Sequence, residues 1–155
     1  MNALIKSALI LDNKSDFHNK TQDILIEDGI ITKIANSLKN TNNFQVIQYE
    51  NLHVSQGWFD SSVCFGEPGY EDRETIKNGL KVAANSGFTA VALQPNNYPV
   101  MDSRSAITYT KTQSNNTATT LFPVGALTLE SKRDHLAEIF DMNQAGSIAF
   151  GDYKE

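Results

Sequence analysis

The sequence predicts an α/β chain in two parts: a small antiparallel β unit over residues 1–54, then an alternating strand–helix domain over residues 55–155. Three observations carry this. Asp23–Glu27 alternates apolar and polar residues, Asp28-Gly29 is a hairpin turn signal, and Ile30–Ala35 returns as the partner strand. After Gln56, four apolar runs are separated by amphipathic segments, and strands alternating with helices imply a parallel sheet with right-handed crossovers. The length, 155 residues, suits one domain or a portion of a larger one.

Taken in order, Ala3–Leu11 is an apolar strand interrupted by Lys6 and Ser7, and Asp12–Lys20 is a polar turn. The hairpin follows. An Asn-rich loop over 36–43 leads to short strands at Phe44–Tyr49 and Leu52–Val54. In the second part, Trp58–Phe65 is strand-like and Gly66-Glu67-Pro68-Gly69 ends it. Arg73–Ser86 has helical periodicity through Ile76, Leu80, Val82 and Ala83, with Gly87 placed as a C′ glycine. Phe88–Leu93 is a continuous apolar run, as in a strand covered on both faces. Asp102 or Ser103 caps a second helix running to about Gln113, which is the simplest role for either residue. Thr119–Thr128 is a third strand. Lys132–Asn143 is a third helix with Leu136, Ile139 and Phe140 on one face, and Ser147–Phe150 is a fourth strand. Periodicity alone leaves two architectures open: half of an eight-stranded β/α barrel, or a small open sheet.

Composition excludes several functions. Hydrophobic residues are 40% and charged residues 20%, which excludes wholesale disorder. The net charge of −5 argues against a nucleic-acid surface. No apolar run reaches the roughly 18 residues of a membrane span. The start, MNALIKSALILDNKSD, predicts no signal peptide. Cys64 is the one cysteine, so neither an internal disulfide nor a four-cysteine zinc site is possible, and a cytoplasmic, reducing compartment is expected.

The residues from Gly57 to Gly69 (GWFDSSVCFGEPG) resemble the first barrel strand of dihydroorotases of the amidohydrolase superfamily, which reads Gly-Phe-x-Asp-x-His-x-His-x-Arg-Glu-Pro-Gly. Glu74-Thr75-Ile76, Gly79 and Gly87-Phe88-Thr89 are similar to the first helix and second strand. Gln94–Pro99 (QPNNYP) is similar to the Met-Pro-Asn-x-x-Pro loop, and Ala145–Asp152 (AGSIAFGD) to the segment entering the fourth strand. The resemblance implies a metal-dependent-hydrolase (β/α)8 barrel, of which these residues form the first half, preceded by the small β unit.

It also implies where the chemistry would lie. In the family two histidines on the first strand bind zinc, and a period of two places both on the barrel interior. Here those positions hold Ser62 and Cys64. The family's substrate-gripping arginine corresponds to Gly66. Its metal-binding aspartate after the fourth strand corresponds to Tyr153, and Asp152 to a neighbour that is not a ligand. Of the substrate-contacting positions, Asn96 is kept. No metal is therefore expected at Ser62, Cys64 or Tyr153, and no cofactor.

Cys64 reads as a small buried filler rather than a nucleophile. His18, His53 and His135 are the only histidines; His53 precedes the strand and His135 falls on an outer helix, so neither would activate it. Ser62 lacks a Gly-x-Ser-x-Gly elbow. Asp60 reads as structural support, and Glu67-Pro68-Gly69 as a turn. Asn96 either touches a small ligand or bonds its own backbone.

The expected function is a non-catalytic dihydroorotase-like protein of pyrimidine biosynthesis. It would act as a scaffold for a pathway enzyme such as aspartate transcarbamoylase, a role the resemblance implies. The alternatives are an active amidohydrolase whose rearranged metal site is completed by residues beyond 155, and a small-ligand sensor using the Asn96 loop. Open sheet edges predict a protein partner: self-association, a missing C-terminal half, or the pathway enzyme. Neither nucleic acid nor a membrane is expected as a partner.

Overall fold

The computed structural model describes residues 1–153, which divide into two compact units, the first ending at Gln56 and the second beginning at Gly57. The first is a five-stranded sheet: β1 (Ala3–Leu11), β2 (Thr21–Glu27), β3 (Ile30–Ala35), β4 (Gln45–Ile47) and β5 (His53–Ser55). β1, β2 and β3 pair antiparallel. Asp28 and Gly29 have φ of +52° and +81°, the two positive values a tight primed turn requires. The antiparallel reading fails for the last two strands. The 36–43 loop carries the chain across to the other side of β1, where β4 and β5 pair parallel to its two ends. The sheet is therefore mixed.

The polar interruption in β1 has a physical cause. Pairing of β1 with β2 slips by one residue between Ile5 and Ala8, and Ser7 adopts φ +53°. This bulge folds around Asp23, which is 2% exposed. Asp23 accepts from the backbone N–H of Ser7 (2.9 Å), from that of Leu38 (2.8 Å) and from the Lys6 ammonium. Lys6 also donates to the Leu38 carbonyl at 3.1 Å. Burial pushes the Asp23 carboxyl up, but the Lys6 hydrogen bond, the two amides and the Lys6 charge outweigh it, leaving it below its ordinary value of 3.8.

The second unit holds β6 (Trp58–Val63), α1 (Ile76–Asn85), β7 (Phe88–Leu93), α2 (Arg104–Gln113), β8 (Thr120–Gly125), α3 (Ile139–Ala145) and β9 (Ala149–Phe150). Its four strands are parallel and lie in sequence order, β6-β7-β8-β9. The core joins the sheet to the helices through Ile76, Leu80, Val91, Leu93, Met101, Ile107, Leu121 and Met142. Thr75 caps α1 by accepting from the Asn78 N–H at 3.2 Å, and Gly87 follows the helix at φ +87°.

Two helix expectations need correction. The segment from Lys132 to Glu138 is not helical: Leu129 N–H donates to His135 O (2.9 Å) and Ala137 N–H to Leu127 O (3.0 Å), so its hydrogen bonds run across a loop rather than along a helix. Leu136 and Phe140 are 70% and 75% exposed, Met142 is the buried residue of α3, and His135 belongs to this loop. Ser103 sits at the N-cap of α2 without a side-chain cap bond, and Asp102 does not cap it either. The Asp102 carboxylate accepts from the Glu130 N–H at 2.9 Å, a tertiary tie 28 residues long.

Replacing Asp23 with alanine strands two amides and the Lys6 ammonium, and should destabilise the first unit by about 2–4 kcal/mol. Because the folded-state pKa is depressed, Asp23 stabilises fully above the ordinary carboxylate range, and that contribution is lost as pH falls through the lowered value. Urea unfolding at neutral pH and at pH near 2 checks both. A difference between parent and Asp23→Ala that persists undiminished in acid contradicts the ionised-carboxylate account.

Candidate functional site

The C-terminal ends of β6 to β9 carry four loops tied together by a few polar contacts. The first loop winds tightly around Gly66: its N–H donates to Glu74 O (2.9 Å) and its carbonyl accepts from Tyr70 N–H (2.8 Å). A Cβ at Gly66 would fall 1.8 Å from the Tyr70 carbonyl oxygen, so this backbone admits no side chain there. Glu67 is more than the turn residue its sequence suggests. One carboxylate oxygen accepts from the Ile76 N–H at the start of α1, and the other from the Tyr109 hydroxyl of α2, both at 2.9 Å. Its backbone carbonyl accepts from Asn97 Nδ2 at 3.4 Å. The first contact places a negative group on the N-terminal end of α1. The second, with partial burial and the charges of Glu67 and Glu71, holds the Tyr109 phenol above its ordinary range.

The loop after β7 is joined to the first by Tyr98 N–H donating to Pro68 O at 3.0 Å. The Glu67–Pro68 and Tyr98–Pro99 peptides are both cis. The loop after β8 is held by Asp102 and by Ala126 N–H donating to Met101 O at 2.7 Å. Asp152, after β9, accepts from both the N–H and the hydroxyl of Thr128, each at 2.9 Å. The Thr128 hydroxyl in turn accepts from Arg133 N–H.

These ties enclose a cavity of about 260 Å³ whose walls include Tyr70, Asn96, Asn97, Glu130, Ser131 and Tyr153. Asn96 and Tyr153, singled out from the sequence, therefore meet in one place. Ser62 and Cys64 are not among the residues that line the cavity; Val63 and Phe65 pack against the core, and Ser62 and Cys64 are both exposed. Cys64 is exposed and is thus not a buried filler. Asp60 accepts from the Ser62 N–H at 2.9 Å and borders a separate cavity under α1.

The family model described as Dihydro-orotase-like matches residues 51–154. The chain belongs to the dihydroorotase-like family. It is 38% identical over 152 residues to a dihydroorotase of Pelotomaculum thermopropionicum, covering 98% of this chain and 35% of that protein. It is 35% identical over 153 residues to a dihydroorotase of Geobacter sulfurreducens, covering 98% and 36%. The dihydroorotase-like chain thus spans about a third of the length of these relatives. Among solved structures, an L-hydantoinase (dihydropyrimidinase) from Arthrobacter aurescens aligns with a TM-score of 0.77 at 20% identity, over 96% of this chain and 32% of that one. A dihydroorotase crystal structure aligns at 0.64 and 12% identity, over 96% and 41%. The fold is that of part of the amidohydrolase barrel: the second unit is a parallel half-barrel sheet, and the first is a small mixed sheet.

The positions that the resemblance assigns to zinc ligands in active members hold Ser62, Cys64 and Tyr153 in this dihydroorotase-like chain. Among the described residues no three His, Cys, Asp or Glu side chains converge. Sequence reasoning missed Glu67 as a tie, Asn97, and the Glu130–Ser131 wall. Glu67 reaches partners 9, 30 and 42 residues away, and no local pattern encodes contacts of that span.

Glu67→Ala should cost about 1–3 kcal/mol by releasing the α1 terminus and Tyr109 together. Gly66→Ala should cost at least about 2 kcal/mol through the clash with Tyr70. Chemical denaturation measures both, and a neutral Gly66→Ala would show that the loop is not wound as described.

Proposed function

We propose that this member of the dihydroorotase-like, pyrimidine-biosynthesis family is non-catalytic and serves as a protein scaffold. The observation that carries the reading is the state of the first strand. The positions corresponding to the family's histidines are Ser62 and Cys64, both exposed. A serine hydroxyl is a poor neutral ligand, and a single thiolate does not hold zinc alone. Without a metal to lower the pKa of bound water, hydrolysis of a cyclic amide lacks its nucleophile at neutral pH. Gly66 supports the reading further, because the tight 66–74 loop leaves no space for an arginine that would grip a substrate carboxylate.

A scaffold role is supported by the surface. β6 and β9 end the four-stranded sheet and are each paired on one side only within this unit. Large apolar side chains stand exposed on the same unit, among them Trp58, Phe59, Phe140 and Ile148. Unpaired edges beside apolar surface favour association. The partner that the family resemblance suggests is an enzyme of the same pathway, such as aspartate transcarbamoylase; self-association, or a C-terminal half of the barrel, would cover the same edges.

Purified protein should carry no stoichiometric zinc and should not cleave dihydroorotate above background. Elemental analysis and a turnover assay decide this, and turnover abolished by a chelator would establish instead the active, rearranged amidohydrolase. The paired change Ser62→His and Cys64→His should raise zinc affinity without restoring turnover, because position 66 still has no room for the arginine. Light scattering at low micromolar concentration should give a mass above the 17.1 kDa of one chain. A soluble, protease-resistant monomer would count against the exposed edges as an interaction surface.

A further inference from the structure

We propose that Asp28, in the turn between β2 and β3, is a covalent modification site of this chain: its carboxyl condenses with the Gly29 amide to a succinimide, which water reopens to an isoaspartyl linkage. The chain holds two pairs in which Asp or Asn precedes glycine, Asp28-Gly29 and Asn78-Gly79. Glycine obstructs this ring closure least, because it has no Cβ beside the attacking nitrogen. In an unfolded chain Asn78 reacts first, since a side-chain amide loses ammonia more readily than an ionised carboxylate loses water. The fold reverses that order.

Asn78 is held out of reaction. It lies in α1, and the amide that would attack it, Gly79 N–H, donates to Thr75 O at 2.9 Å. Its own Nδ2 donates to the Glu74 carboxylate at 3.0 Å. Gly79 is buried, and a Cβ built on it would run into the Phe65 ring, so the peptide has no space to swing into a ring. Cyclisation there requires turning the peptide out of the helix, against its hydrogen bonds and the packing of Ile76 and Leu80 in the core.

Asp28 is free on each of these counts. Asp28 and Gly29 are exposed, and beyond its chain neighbours no atom lies within 4 Å of a Cβ built on Gly29. Among the described residues none bonds the Asp28 carboxylate. Two bonds hold the turn: Asp28 N–H donates to Asn2 Oδ1 at 2.6 Å, and Gly29 N–H to Met1 O at 2.9 Å. Both acceptors lie before β1, and Met1 is 73% exposed, so this restraint yields without opening the sheet. The step balances. Gly29 N loses its proton and bonds to Asp28 Cγ, and the carboxyl group loses an oxygen as water. Hydrolysis at the Asp28 main-chain carbonyl carbon takes the water back and leaves the chain running through Cβ and Cγ, with no change in mass. The two-residue turn is then longer by a backbone atom and no longer matches the pairing of Glu27 with Ile30.

The proposal needs only the first unit and does not rest on the scaffold reading. The full chain is incubated folded and in urea at the same neutral pH and temperature. Peptide mapping with electron-transfer fragmentation locates isoaspartate, and a gain of one mass unit marks deamidation. In the folded protein isoaspartate should accumulate at position 28 while Asn78 stays intact; in urea Asn78 should react first. Asp28→Glu should abolish the product. Asp28→Asn places the same dipeptide in both settings and keeps a good turn residue. In that variant position 28 should deamidate at least about tenfold faster than Asn78 when folded, because opening the turn costs less than opening the helix. In urea the two should react at similar rates. Equal rates in the folded Asp28→Asn variant would overturn the protection assigned to α1. Absence of isoaspartate at position 28 in the folded parent would overturn the site.

Discussion

The carboxylate of Glu67 connects three elements that are distant in sequence. One oxygen terminates α1, the other holds α2 through Tyr109, and the adjoining carbonyl orients Asn97. Remove the carboxylate and the loop after β6 loses its hold on both α1 and α2. The same loop winds so closely on Gly66 that the neighbouring position is reduced to backbone. Asp102 and Asp152 repeat the device further along, each using a carboxylate to satisfy backbone N–H groups of the segment that follows β8. In all three cases a carboxylate is engaged in building the loops.

This gives physical content to the departure from the family pattern. The side of the sheet facing the helices is conventionally packed, with Ile76, Leu80, Leu93 and Ile107 fully or almost fully buried. The scaffold therefore does not depend on the positions at which the chemistry would reside. Ser62 and Cys64 are exposed and lie outside the buried core cluster.

Most of the element order was legible in the sequence because it rests on local signals. The Asp28-Gly29 turn, the period of α1 with Gly87 after it, and the apolar run of β7 each read correctly within a few residues. The errors came where distant contacts override local preference. Leu136 and Phe140 have helical spacing with Ile139, yet the backbone before them bonds across a loop and leaves both side chains in solvent. β4 and β5 carry no mark of direction, and only their pairing with β1 shows that they run parallel to it. At the candidate site, Asn96 and Tyr153 were found by motif. Glu130 and Ser131 were not, because neither residue type announces a left-handed backbone.

The central claim is that the first strand of the half-barrel does not form a metal site. Cys64 allows a direct measurement, since it is the one cysteine of the chain and is exposed. Its rate of alkylation by iodoacetamide can be followed by mass spectrometry with and without equimolar zinc. The account predicts the same rate in both conditions, as for a thiol with no converging ligands. Protection of Cys64 by stoichiometric zinc would contradict it.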